Sequence, residues 1–212
     1  MKTSIDSSDD VHSIQHFQNR LRDSTRAAHR SLDHHPLLAP LVRQDLSLKH
    51  YQYVLKVMNW LHVHLRQRLT GAMEEFVPTS RFIPSDRPRW LADDMSWLGM
   101  KETASPVNVD ESFKLRFTSA EALVGALYVL EGSTLGGQVI ARQLAESIGV
   151  YPGKGASFFY GHGDDTQAHW EGFWCFANGV CSTGSIELAC DAAVGMFNDF
   201  EHFLNICAQH RP

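Results

Sequence analysis

Cysteine is absent from the first 174 residues of this 212-residue chain, and the four near its end, Cys175, Cys181, Cys190 and Cys207, form no Cys-x-x-Cys pair. They also keep no zinc-like spacing to histidine, so neither a disulfide framework nor a zinc finger is written in the sequence, and reduced thiols are expected. A basic excess is missing too. Nineteen Lys+Arg against 24 Asp+Glu give a net charge of -5, which carries no nucleic-acid footprint. No apolar run approaches the roughly 18 residues of a membrane span. The first ten residues, Met1 to Asp10, lack the apolar core of a signal peptide. A cytoplasmic protein with no nucleic-acid or membrane partner is the expectation. Gly-x-Gly-x-x-Gly and Gly-x-Ser-x-Gly are both absent, which excludes a dinucleotide loop and a serine-nucleophile elbow. Nothing alternates with period two long enough to be a strand, and no repeat is visible.

What is present is helical periodicity. Residues 1–13 are polar, acidic and serine-rich and are expected as a disordered tail, leaving one helical domain over 14–212. Leu21, Thr25, Ala28 and Leu32 recur at helical spacing until Pro36, and a short piece follows from Leu37 to Val42. Tyr51, Val54, Leu55, Met58, Leu61, Leu65, Leu69, Met73 and Phe76 predict a long helix from Leu48 to Phe76, stopped by Pro78. Pro88 suits the first position of a shorter helix through Trp90, Leu91, Met95 and Leu98. Thr118-Ser-Ala-Glu121 matches a capping box and places a further helix from near Ser119 to Ile148, with Gly149 as its stop. After a loop rich in glycine and aromatics, from Tyr151 to Gly163, two last helices are expected at about 167–178 and 182–208. The fold class is therefore all-α: a single domain of about seven to nine helices.

Two features carry chemistry. Gly132, Gly136 and Gly137 interrupt the helix Leu127-Tyr-Val-Leu-Glu-Gly-Ser-Thr-Leu-Gly-Gly-Gln-Val-Ile140 at a cost of about 1 kcal/mol each relative to alanine. Such glycines either let a second helix pack closely or form a side-chain-free wall against a flat ligand. On the first helix, Arg22, Arg26, His29 and Asp33 share one face at spacings of 4, 3 and 4. That face suits a solvated surface, or an imidazole holding a metal-centred ligand with acidic groups, its second N–H fixed by Asp33. Other histidines point nowhere as clearly. His34 and His35 flank a helix end, where they suit capping. His62 and His64 are two residues apart and cannot face one site together. His162 and His169 lie near a loop, with no metal-binding partner that the sequence names.

Together, Leu21-Arg-Asp-Ser-Thr-Arg-Ala-Ala-His29 and Tyr128-Val-Leu-Glu-Gly-Ser-Thr-Leu-Gly-Gly-Gln138 resemble haem oxygenase, most of all the bacterial branch associated with biliverdin supply to bacteriophytochromes. Helix order, length and the aromatic C-terminal helix with Phe197, Phe200 and Phe203 fit as well. The resemblance implies His29 as the proximal iron ligand, Arg22 and Arg26 near the haem propionates, and Asp33 as the carboxylate behind the ligand histidine. It further implies Gly132, Ser133, Gly136 and Gly137 on a distal helix that kinks over the haem. The chain departs from the animal-type pattern at Ser133, where those enzymes carry an aspartate that organises distal water. Some bacterial relatives share Glu-Gly-Ser here. The stretch from His169 to Phe176 also lacks the lysine and arginine that other members offer the propionates.

The implied activity is cleavage of haem, cofactor and substrate at once, by dioxygen (O2) to biliverdin, carbon monoxide and ferrous iron. With no flavin or nicotinamide motif in the chain, electrons are expected from a reductase or ferredoxin, and the product is expected to suit a bacteriophytochrome. A haem storage or sensing protein on the same fold is the rival expectation. A thiaminase-like enzyme is a further one, using cysteine and carboxylates.

Overall fold

Capping side chains and prolines set where the helices begin and end. Residues 7–210, apart from 102 and 115, are described by a computed structural model. Helix α1 (Ser7–Asp33) buries Phe17, Leu21 and Thr25 along one side. Its backbone is already helical over 7–13, because an acidic, serine-rich composition suits a helix N-terminus as well as a tail. Residues 1–6 of the expected tail lie outside the described residues. A 3-10 turn (Ala39–Val42) follows, and then α2 (Leu48–Phe76), whose N-terminus is capped by the Ser47 hydroxyl accepting from the His50 N–H at 3.2 Å. Asp86 caps α3 (Arg87–Trp97). A single turn, α4 (Val109–Ser112), lies in the connection to the central helix.

That helix, α5 (Ala120–Ile148), starts one residue later than a Thr118 cap would place it: Ser119 supplies the hydroxyl, 3.2 Å from the Ala122 N–H. It runs unbroken through all three expected glycines and stops at Gly149, whose φ of 69° terminates the helix in the left-handed region. A short turn α6 (Ser157–Tyr160) is held by Asp94, which accepts from the Ser157 and Phe158 N–H groups at 2.7 and 2.8 Å. Then come α7 (Thr166–Val180) and α8 (Ile186–Gln209). Among the described residues there is no strand, only isolated bridges at Tyr151.

Helix α8 packs chiefly on α5 and α1. The α5–α8 approach depends on a glycine that periodicity did not single out: a Cβ on Gly125 would stand 2.1 Å from the Ala189 carbonyl oxygen. Buried tyrosines tie the layers together, Tyr51 donating to the Gly155 carbonyl and Tyr53 to that of Cys207, each at 2.6 Å. The expectation of no membrane-length apolar segment needs correction. Glycine hardly interrupts hydropathy, and α5 is long and apolar enough to cross a membrane by length and composition, with 56% of its most apolar window buried inside the fold.

Candidate active site

The His29 ring is held from two sides. Its Nδ1 lies 3.1 Å from the Asp33 carboxylate one turn on, and its plane meets the Phe197 ring edge-on at 5.8 Å between centroids. Both polar side chains stay open to solvent, at 65% and 61% exposure, so Nε2 is the ring atom left to face a ligand. A carboxylate accepting from Nδ1 fixes the neutral tautomer whose lone pair sits on Nε2. Of the two arginines on this face, Arg26 is ion-paired with Asp23. Arg22 lies close enough to Tyr128 of α5 for its charge to act on the phenol. Burial pushes the Tyr128 hydroxyl up, a hydrogen bond with Thr25 and the Arg22 charge partly offset this, and the net direction is upward.

The Thr25–Tyr128 contact joins α1 to α5. His29 is one turn beyond Thr25 and Gly132 one turn beyond Tyr128, so the two motifs flank a shared junction. At about 100° per residue, Tyr128, Gly132, Leu135, Gly136 and Val139 fall within an arc of about 100° on the side of α5 away from the core. This face is apolar and yet open, with Leu135 40% and Val139 54% exposed. A Cβ on Gly136 would meet nothing within 4 Å, and one on Gly132 would meet only the Trp170 ring at 3.4 Å. Ser133 borders the face, its hydroxyl donating to the Leu130 carbonyl at 2.8 Å. Such back-bonding to the preceding turn bends helices.

Gly137 does not belong to this wall. Its Cβ would stand 2.4 Å from the Phe159 carbonyl oxygen, so here the glycine serves close packing of α6 on α5. It is buried, whereas Ser133 and Gly136 are exposed. The side of the junction formed by α7 is aromatic: Trp170 and Trp174 approach Tyr128 at 5.8 and 5.9 Å, and Trp174 meets Phe17 of α1 at 5.7 Å. Nowhere does α7 carry a lysine or arginine, and the cations on the His29 face are Arg22 and Arg26 of α1.

A polar cluster gathers around Glu131 at the buried border of the glycine face, from residues that share no spacing in the sequence. The Glu131 carboxylate, 1% exposed, lies 2.9 Å from His169 Nε2 and accepts from the Ser85 N–H at 3.1 Å and from its hydroxyl. The Ser85 oxygen is 2.8 Å from His162 Nε2, and the two imidazoles stack at 3.9 Å. Burial pushes the Glu131 carboxyl up, but His169, the Arg87 charge and Ser85 outweigh it and hold the group below the usual carboxylate range. A cleft of about 430 Å³ opens beside this cluster, lined by His62, Leu65, Met73, Phe82, Arg87 and Glu131 among others. It faces away from the glycine wall. The cysteines join neither group: burial pushes the Cys181 and Cys207 thiols up to about 12, which leaves them without nucleophilic character at neutral pH.

Comparison with known proteins bears on the junction. A family model described as Heme oxygenase matches residues 15–205. Among solved structures, the NO- and CO-bound heme oxygenase from Neisseria meningitidis is similar at 21% identity and a TM-score of 0.70, over 90% of this chain and 91% of that one. The heme oxygenase from Leptospira interrogans is similar at 17% and 0.71, over 88% and 98%. Heme oxygenase-1 from the cyanobacterium Synechocystis sp. PCC6803, in complex with heme, is similar at 15% and 0.72, over 92% and 93%. At such identities these structures speak to the fold. A search of curated proteins finds no significant match.

Proposed function

This chain belongs to the haem oxygenase family, and we propose that it cleaves haem with dioxygen and externally supplied electrons to biliverdin, carbon monoxide and ferrous iron. Haem is a flat apolar plate bearing two carboxylates, and it calls for an apolar slot, one axial donor and cations at an open edge. The residues at the α1–α5 junction fit those demands. Apolar and aromatic groups line the junction, His29 Nε2 is exposed, and Arg22 and Arg26 lie on the same face as His29. Bound haem supplies the iron that activates dioxygen and the ring carbon that is oxidised.

The chain's own side chains set the surroundings of that chemistry. His29 would offer Nε2 to the iron, and Asp33 accepts a hydrogen bond from Nδ1–H, fixing the plane of the ring. Arg22 and Arg26 neutralise the propionates, Arg26 by exchanging its exposed partner Asp23. Gly132 and Gly136 present backbone without side chains, which would let a flat ligand approach closely and, at Gly136, would leave room for small molecules beside it. Ser133 places no ionisable group at the wall. With its proton committed to the Leu130 carbonyl, its oxygen keeps acceptor lone pairs for ordered water, through which protons reach the site. Electrons come from a separate reductase or ferredoxin, and the biliverdin is free to serve a bacteriophytochrome-type photoreceptor or to be discarded once the iron is released.

The observation that carries this assignment is the His29–Asp33 pair, braced by Phe197 and one turn from the contact joining α1 to the open glycine face. Hemin added to the purified chain is expected to give an intense Soret band with the spectrum of histidine-ligated iron. His29→Ala is expected to remove that ligation signature. An unchanged spectrum in the variant would show that another residue holds the iron.

A further inference from the structure

The polar cluster beside the glycine face gathers two imidazoles and a buried carboxylate. We propose that Glu131, His162 and His169 bind one divalent cation of the zinc class, with the Ser85 hydroxyl at the fourth position. The three ligand atoms lie within 4.8 Å of one another. They come from three different parts of the fold: α5, the turn before α7, and α7 itself.

Ligand atoms about 2.0 Å from a tetrahedral zinc lie about 3.3 Å apart. The separations here are of that size: 2.9 Å from His169 Nε2 to Glu131 Oε2, 2.8 Å from Ser85 Oγ to His162 Nε2, and 3.4 Å from Ser85 Oγ to His169 Nε2. The fourth edge, from the Ser85 hydroxyl to Glu131 Oε2, is the tightest. Two imidazole nitrogens with one carboxylate oxygen is a donor set for zinc and its borderline neighbours, not for the hard oxygen-seeking calcium or magnesium. Both Nε2 atoms lie beside the Ser85 hydroxyl, and the stacked rings must rotate out of their 3.9 Å contact for both lone pairs to reach one ion. The second oxygen of Glu131 is steadied by the Ser85 N–H, as ligating carboxylates are steadied elsewhere.

Arg87 stands nearby, its guanidinium committed to the Leu130 carbonyl, and its charge sets the affinity below that of a fully anionic site. A bound cation ties the segment ahead of α3 to α5 and α7 and so stabilises the fold that presents the glycine face. The assignment is independent of haem and of His29.

The test is titration of Zn²⁺ into the haem-free full-length chain, read against a chromophoric chelator, together with the thermal midpoint. One equivalent of zinc at this site and a raised midpoint are expected. His162→Ala and His169→Ala are each expected to weaken that binding by at least about tenfold, whereas His29→Ala leaves it unchanged. Co²⁺ in place of zinc is expected to give the intense visible bands of tetrahedral coordination in the unmutated protein, a readout that does not depend on any variant folding. Absence of those bands, or zinc bound equally by the His162→Ala/His169→Ala double variant, would overturn the proposal and leave the cluster as a closed hydrogen-bonded knot.

Discussion

Gly136 and Gly137 are neighbours in sequence with opposite duties. A methyl group on Gly136 enters open space, while one on Gly137 enters the Phe159 carbonyl oxygen at 2.4 Å. Alanine also favours helix over glycine by about 1 kcal/mol. Gly136→Ala is therefore expected to raise the thermal midpoint of the haem-free protein by about 2–4 °C while lowering haem turnover. Gly137→Ala is expected to destabilise the fold by about 1–3 kcal/mol, because a packed backbone must shift. Thermal melts of the two haem-free variants check both signs. Equal destabilisation by both would mean that Gly136, too, is a packing residue.

Helix boundaries are the part of the fold most legible in the sequence, since caps and breakers act locally. Ser47, Asp86, Ser119 and Gly149 each mark an end through their own hydrogen bonds or backbone angle. The polar face of α1 is legible for the same reason: Arg22, His29 and Asp33 are related by turns of one helix, and the His29–Asp33 contact needs no other element. The division of labour within α5 is less so. A glycine records that something comes close without recording what, so Gly136 beside open space, Gly132 beside the Trp170 ring and Gly137 against α6 leave the same trace. The role of Gly125 is not legible in the sequence, because its partner, Ala189, is 64 residues away on α8. The same holds for Glu131 and Ser85, which meet His162 and His169 only after folding has joined segments with no shared spacing.

Buried histidines give the whole molecule a predictable acid response. Burial, reinforced by the Arg87 charge, pushes His62 well below its usual 6.5. Burial also lowers His35, against the Asn205 hydrogen bond and the Glu201 charge. Both groups bind a proton more readily in the unfolded chain, so their contribution to stability is intact above about pH 6.5 and is lost as pH falls towards their folded values. The thermal midpoint is expected to hold between pH 8 and 7 and to fall steadily below about pH 6.5. A midpoint that stayed level down to pH 5 would contradict neutral, buried His62.

The junction of α1, α5 and α7 is proposed as a place of haem breakdown and not only of haem storage. The most direct measurement is aerobic turnover of the hemin complex with a reductase and ferredoxin, with the products separated by chromatography. Loss of the Soret band with release of carbon monoxide and a biliverdin isomer is expected. A haem complex that stays intact through repeated reduction in air, its band undiminished, would contradict it.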